Sequence, residues 1–171
     1  MSTLTPSDIN AGNTAVGVVV VVAFILHQIP IYLSVDVSKH PKEDEKYFPE
    51  EARKPLAENS SASRWAGIAR NNAENLWQGV IVFLVSKGCV ERGSSPFYNE
   101  DKSDNKGYYK FLTAMMYLFV VCRISHTVCY KMGINAPVPV RSICFFLANI
   151  AVWCSAIMIP ITMSKFKMPV A

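Results

Sequence analysis

The sequence predicts an all-α integral membrane protein: one domain of four transmembrane helices in an up-down bundle. Three observations carry that prediction. Hydrophobic residues make up 51% of the 171, against 18% charged. The two kinds are segregated, with "AVGVVVVVAFIL" at 15–26 and a block crowded with Lys, Glu and Asp at 36–58. A membrane span needs about 20 mainly apolar residues, and four such blocks occur, parted by charged or turn-rich connections.

The first span is placed at about 14–35, where Pro30 would kink the helix or begin its exit from the bilayer. No Lys or Arg precedes Lys39, so the block reads as a retained signal-anchor rather than a cleaved signal or an arginine-rich presequence. A charged loop follows at 36–63. It sets Lys39, Lys42, Lys46, Arg53 and Lys54 against Asp36, Glu43, Asp44, Glu45, Glu50, Glu51 and Glu58, and is broken by Pro41, Pro49 and Pro55. Asn59-Ser60-Ser61 in this loop is a glycosylation sequon, of consequence only on a lumenal side. The second span is placed at about 64–90, followed by the polar "ERGSSPFYNEDKSDNKG". Spans at about 107–131 and 139–163 are joined by the short "MGINAPVP", which makes them antiparallel neighbours. An even number of spans puts both termini in one compartment. Lys and Arg are shared too evenly between the two sides to say which.

Other classes are excluded by composition. A net charge of +4 without a compact basic cluster gives nucleic acid nothing to bind. Cys89, Cys122, Cys129, Cys144 and Cys154 form no CxxC pair and have no histidine at metal spacing. Four of them lie in apolar blocks and read as small buried hydrophobes, so no metal site is expected.

The polar residues within the spans gather at one membrane edge. Asn71, Glu74, Asn75 and Gln78 recur at helical spacing at the start of the second span, beside Arg70. Arg123, His126, Thr127 and Tyr130 do the same at the end of the third, and Arg141 and Ser142 open the fourth. A charge at the centre of a span costs about 2.5–3.5 kcal/mol on insertion scales, so such residues face a bundle interior or a wet cavity. One reading is helix glue, with Arg70 paired to Glu74. But three Arg against one Glu leave a positive surplus, which suits a carboxylate or thiolate ligand. His27 and Gln28 read as an interfacial pair, Trp65, Trp77, Tyr108 and Tyr109 as interface anchors, and His40 as a solvated loop residue.

"RISHTVCY" (123–130), followed by "APVPVRSICFF" (136–146), resembles the end of the third helix and the start of the fourth in the membrane-associated proteins of eicosanoid and glutathione metabolism, the MAPEG family. "RNNAEN" (70–75) is similar to that family's Arg-Asn-Asp-x-Glu stretch in helix two. The resemblance covers roughly residues 64–160. It implies a MAPEG-like homotrimer in the bilayer, with glutathione held between protomers near the cytosolic edge. Arg70, Asn71, Glu74, His126, Tyr130 and Arg141 would bind the tripeptide, Glu74 taking its amino group and the arginines its carboxylates. Arg141, with Ser142, would be catalytic beside the sulfur. A thiol ordinarily titrates near about 8.5, and an adjacent cation favours the nucleophilic thiolate. The implied activity is a glutathione-dependent transferase or peroxidase acting on hydrophobic or lipid electrophiles, in the endoplasmic reticulum or mitochondrial membrane. Gly67 and Ala69 stand where the family usually has Arg-x-His, and Gln78 where a proline is common. Those departures support an alternative: a catalytically degenerate accessory subunit of a larger membrane complex.

Overall fold

The structure, a computed structural model, describes residues 5–34, 61–93, 105–132 and 140–163. They form α1 (Pro6–Ser34), α2 (Ser61–Gly93), α3 (Asn105–Met132) and α4 (Val140–Met163). The charged loop, most of the glycosylation sequon and His40 lie outside the described residues. The helices cover the four expected spans, and there is no strand among the described residues.

α1, α3 and α4 are each long and apolar enough to cross a membrane. α2 is the longest, at 33 residues, and keeps its apolar run 79–85 between two polar ends. α1 packs on α2 and α3, α4 packs on the same two, and α2 meets α3 between them. α1 and α4 therefore sit on opposite sides of the central α2–α3 pair. The expected antiparallel contact of α3 with α4 is present.

The outer surface is apolar, as a protein solvated by lipid tails requires. Val21, Phe24 and Ile25 on α1, Ile81 and Leu84 on α2, and Phe146, Trp153 and Ile157 on α4 are all exposed. Inside, close approach is bought with small residues. α1 presents Gly12, Ala15, Val19 and Ala23 along one buried stripe. A Cβ at Gly12 would fall on the Tyr109 ring, and one at Gly79 on the Phe119 ring. Phe119 then stands edge-on to Phe83 with centroids 5.2 Å apart.

α1 begins eight residues before the first expected span, and the reason is local. Thr5 caps the helix: its hydroxyl accepts from the Asp8 backbone N–H at 3.3 Å, while the Asp8 carboxylate accepts from the Thr5 N–H at 3.0 Å. Pro6 at the first helical position needs no N–H partner. At the same end Lys106 lies 3.1 Å from Asp8, tying α3 to α1. Two expectations are corrected here. Tyr109 is no interface anchor but a buried residue, whose hydroxyl donates to Glu91 at 3.1 Å and lies 3.3 Å from the Ile9 carbonyl. Of the five cysteines, all free, only Cys122 is fully buried; the other four are half-buried.

Candidate functional site

Three helix ends meet at one rim, as their up-down order requires: the start of α2, the end of α3 and the start of α4. α2 buries a stripe of Ile68, Asn72, Leu76, Val80, Phe83, Ser86 and Val90, advancing by three or four residues. Asn72, not its neighbours, is the polar residue that points inward. It donates to the Leu26 carbonyl on α1 at 2.7 Å. That carbonyl is the one Pro30 would have served four residues on, had it an N–H. α1 therefore continues through Pro30 to Ser34 instead of ending there.

The predicted constellation divides into an inner and an outer set. Arg123 on α3 is 2% exposed, and its Nη1 donates to Asn71 Oδ1 at 3.3 Å. Its guanidinium carbon lies 5.8 Å from the ring centroids of both Phe119 and Phe145. His126 is buried one turn further on, with its ring 5.7 Å from Phe145 and 6.1 Å from Tyr130. Arg141 is half-buried and sits 4.8 Å over the Tyr130 ring. It lies seven residues before Ala148, in register with the buried stripe Ala148, Ala151, Ser155, Met158 and Thr162. Tyr130 reaches α2 because position 67 is glycine: a Cβ there would fall on the tyrosine hydroxyl.

Arg70, Glu74 and Ser142 form the outer set, all exposed. Arg70 and Glu74 lie two residues on either side of Asn72, about 200° round the helix, and point away from the bundle. Although four residues apart, they make no ion pair among the described residues; the pairs there are Lys87–Glu91 and Lys106–Asp8. The helix-glue reading of Arg70 with Glu74 is thus set aside. Asn75 donates back to the Asn71 carbonyl within α2 at 2.9 Å, and Gln78 is exposed. The single face expected of Asn71, Glu74, Asn75 and Gln78 is therefore a flank, with Asn71 at its inner margin. His27 is half-buried, edge-on to Trp77 at 5.7 Å. Trp65 carries Lys131 over its ring at 4.6 Å.

The electrostatics of the inner set are unbalanced. Removing a guanidinium from water costs several kcal/mol even after relaxation. Two cation–π contacts near the limit of range return only about 0.5–2 kcal/mol each. Arg123 Nε and Nη2, His126 Nδ1 and Thr127 Oγ1 are buried without a hydrogen-bond partner among the described residues. No group of His, Cys, Asp and Glu among the described residues is arranged to hold a metal ion.

An α-helical bundle set in lipid, with a cationic rim where three of its helices end, is the class of protein that this fold and site define. The model of the MAPEG family matches residues 105–160, which bears out the resemblance carried by 123–146, while the likeness at 70–75 falls outside the match. The match spans all of α3 and most of α4, the pair that carries Arg123, His126, Tyr130 and Arg141. No curated protein and no solved structure matches the chain.

Proposed function

We propose that the protein is a membrane-bound, glutathione-dependent transferase or peroxidase that acts on hydrophobic electrophiles reaching the rim from the bilayer. The observation that supports this most is the run of unneutralised cations from α2 to α4. Arg70 and Arg141 have no acid partner among the described residues, and Arg123 is buried without one. These residues fit a ligand with two carboxylates, one amino group and a thiol. The exposed Glu74 offers the amino group its only free carboxylate at this end among the described residues.

Glutathione, when bound, supplies the thiol nucleophile. Arg141 holds negative charge at the sulfur, and the Tyr130 ring beneath it fixes the guanidinium plane. Asn71, held by Arg123, presents its amide to the ligand backbone. Because Arg70 and Glu74 face outward, the site closes only when a second copy packs against that face, as the homotrimer implied by the resemblance would provide. The test is calorimetric titration of the purified full-length protein with glutathione, together with conjugation of a hydrophobic chloro-nitroarene. Binding in the sub-millimolar to millimolar range is expected, and Arg141→Ala should reduce turnover by about 10²–10³-fold, as losing one charge-stabilising donor does. Absence of any binding heat would remove this reading.

One observation favours the accessory-subunit alternative. The Tyr130 hydroxyl fills the space over Gly67 that a longer side chain, such as the family's arginine, would need. On that reading native electrophoresis of mild membrane extracts shows the chain only within a larger complex of unrelated subunits.

A further inference from the structure

We propose that Cys129 on α3 and Cys144 on α4 form a peroxide-sensitive thiol pair that closes as a disulfide across the seam between the two helices. Neither thiol belongs to the cationic rim, and the pairing does not rest on the glutathione reading. Two contacts fix how the helices face each other here. The His126 ring lies 5.7 Å from the Phe145 ring, and Arg141 sits 4.8 Å over the Tyr130 ring. Segment 126–130 therefore runs antiparallel against 141–145, and each holds one cysteine. Cys129 lies three residues after His126, and Cys144 lies three after Arg141 and four before the buried Ala148. Helix axes pack about 8–10 Å apart, with Cα atoms about 2.3 Å off each axis. The register sets Cys129 two residues from the level of Cys144, about 3 Å along the axis. Their Cα atoms then fall about 4.5–6 Å apart, inside the range of about 4.4–6.8 Å that a disulfide spans.

Exposure and register single out this pair. Cys144 is within electrostatic reach of both Cys129 and Cys122. Cys122, however, is buried, and the same register puts it about 7.5 Å further along the seam. Cys129 and Cys144 are half-buried. Met132 and Leu147, three residues beyond each, are exposed, so the pair opens toward the lipid side. The oxidant is a hydroperoxide, such as one carried on a lipid chain. One cysteine attacks as thiolate: an S–O bond forms, the O–O bond breaks, and the alcohol leaves with the thiol's proton. The second sulfur attacks the sulfenic acid, the S–S bond forms, and water leaves with the second proton. Two thiols lose two electrons and the peroxide gains them. The bond pins the start of α4, which carries Arg141, to the end of α3.

The test treats the full-length protein in detergent, free of glutathione, with cumene hydroperoxide. Remaining thiols are alkylated and the peptides mapped by mass spectrometry. Free thiols should fall from five per chain to three, with Cys129 joined to Cys144 within one chain, and dithiothreitol should restore all five. Cys129→Ser and Cys144→Ser should each abolish the link, whereas Cys122→Ser and Cys154→Ser should keep it. The same treatment in denaturant should scatter the links among the cysteines, because the fold directs the pairing. Survival of all five thiols overturns the proposal, as does oxidation to sulfinic acid without a link. A link from Cys144 to Cys122, links only between chains, or equal selectivity in denaturant overturn it too.

Discussion

At the residue scale, the contact between Asn72 and the Leu26 carbonyl shows how a proline is carried inside a membrane helix. Pro30 removes an N–H, and in lipid the orphaned carbonyl has no water to turn to. A side chain on the neighbouring helix replaces the missing donor at 2.7 Å. The two residues should therefore be coupled. Asn72→Leu should destabilise the wild type by about 1–3 kcal/mol, the cost of an unsatisfied buried carbonyl. The same change should cost roughly 1 kcal/mol less once Pro30→Ala restores the backbone N–H. Denaturant titrations of the four proteins in micelles measure the cycle, and equal costs in both backgrounds would refute the coupling. Gly67 makes a second local argument. Gly67→Ala pushes a methyl into the Tyr130 hydroxyl, so it should destabilise by about 1–3 kcal/mol. Tyr130→Phe in the same chain should recover part of the loss, because it removes the atom nearest the clash.

At the element scale, α1, α3 and α4 were legible because hydropathy marks where a helix is in lipid, but hydropathy is silent about where a helix stops. α1 runs back to Pro6 on the strength of a polar capping box, and α2 runs on through Lys87 and Glu91. Thr5, Pro6 and Asp8 were a readable signal, with a carboxylate three residues after a hydroxyl and a proline between. The role of Tyr109 was not readable, since its partners Ile9 and Glu91 come from two other helices. The capping box predicts a local effect. Thr5→Ala should cost about 0.5–2 kcal/mol, confined to the first turns of α1. Hydrogen exchange should therefore quicken at the amides of residues 8–12 and stay unchanged beyond Ala15. Uniform quickening along α1 would show instead that Thr5 holds the whole helix.

At the scale of the whole molecule, the candidate site separates what a sequence can place from what it cannot. Up-down order alone brings Asn71, His126, Tyr130 and Arg141 to one rim, and the structure finds them there. The spacing of Asn71, Glu74, Asn75 and Gln78 marks a face but not what that face meets, and Asn72, the residue that turns inward, was missed. Position on a helix fixes the angle between residues; only packing fixes which angle is inside. Arg70 and Glu74 consequently point out of the protomer that holds Arg141 inward. If both arginines serve one glutathione, they come from different copies. Arg70→Ala and Arg141→Ala should then each abolish conjugation alone, yet complement one another when co-expressed. In a cyclic trimer assembled at random from equal amounts, each interface draws one side from each variant in the productive order about one time in four. The co-expressed population as a whole should therefore recover roughly a quarter of wild-type turnover per site, whereas a site contained within one protomer gives none. Separately purified variants mixed after assembly supply the control, because without subunit exchange they must stay inactive.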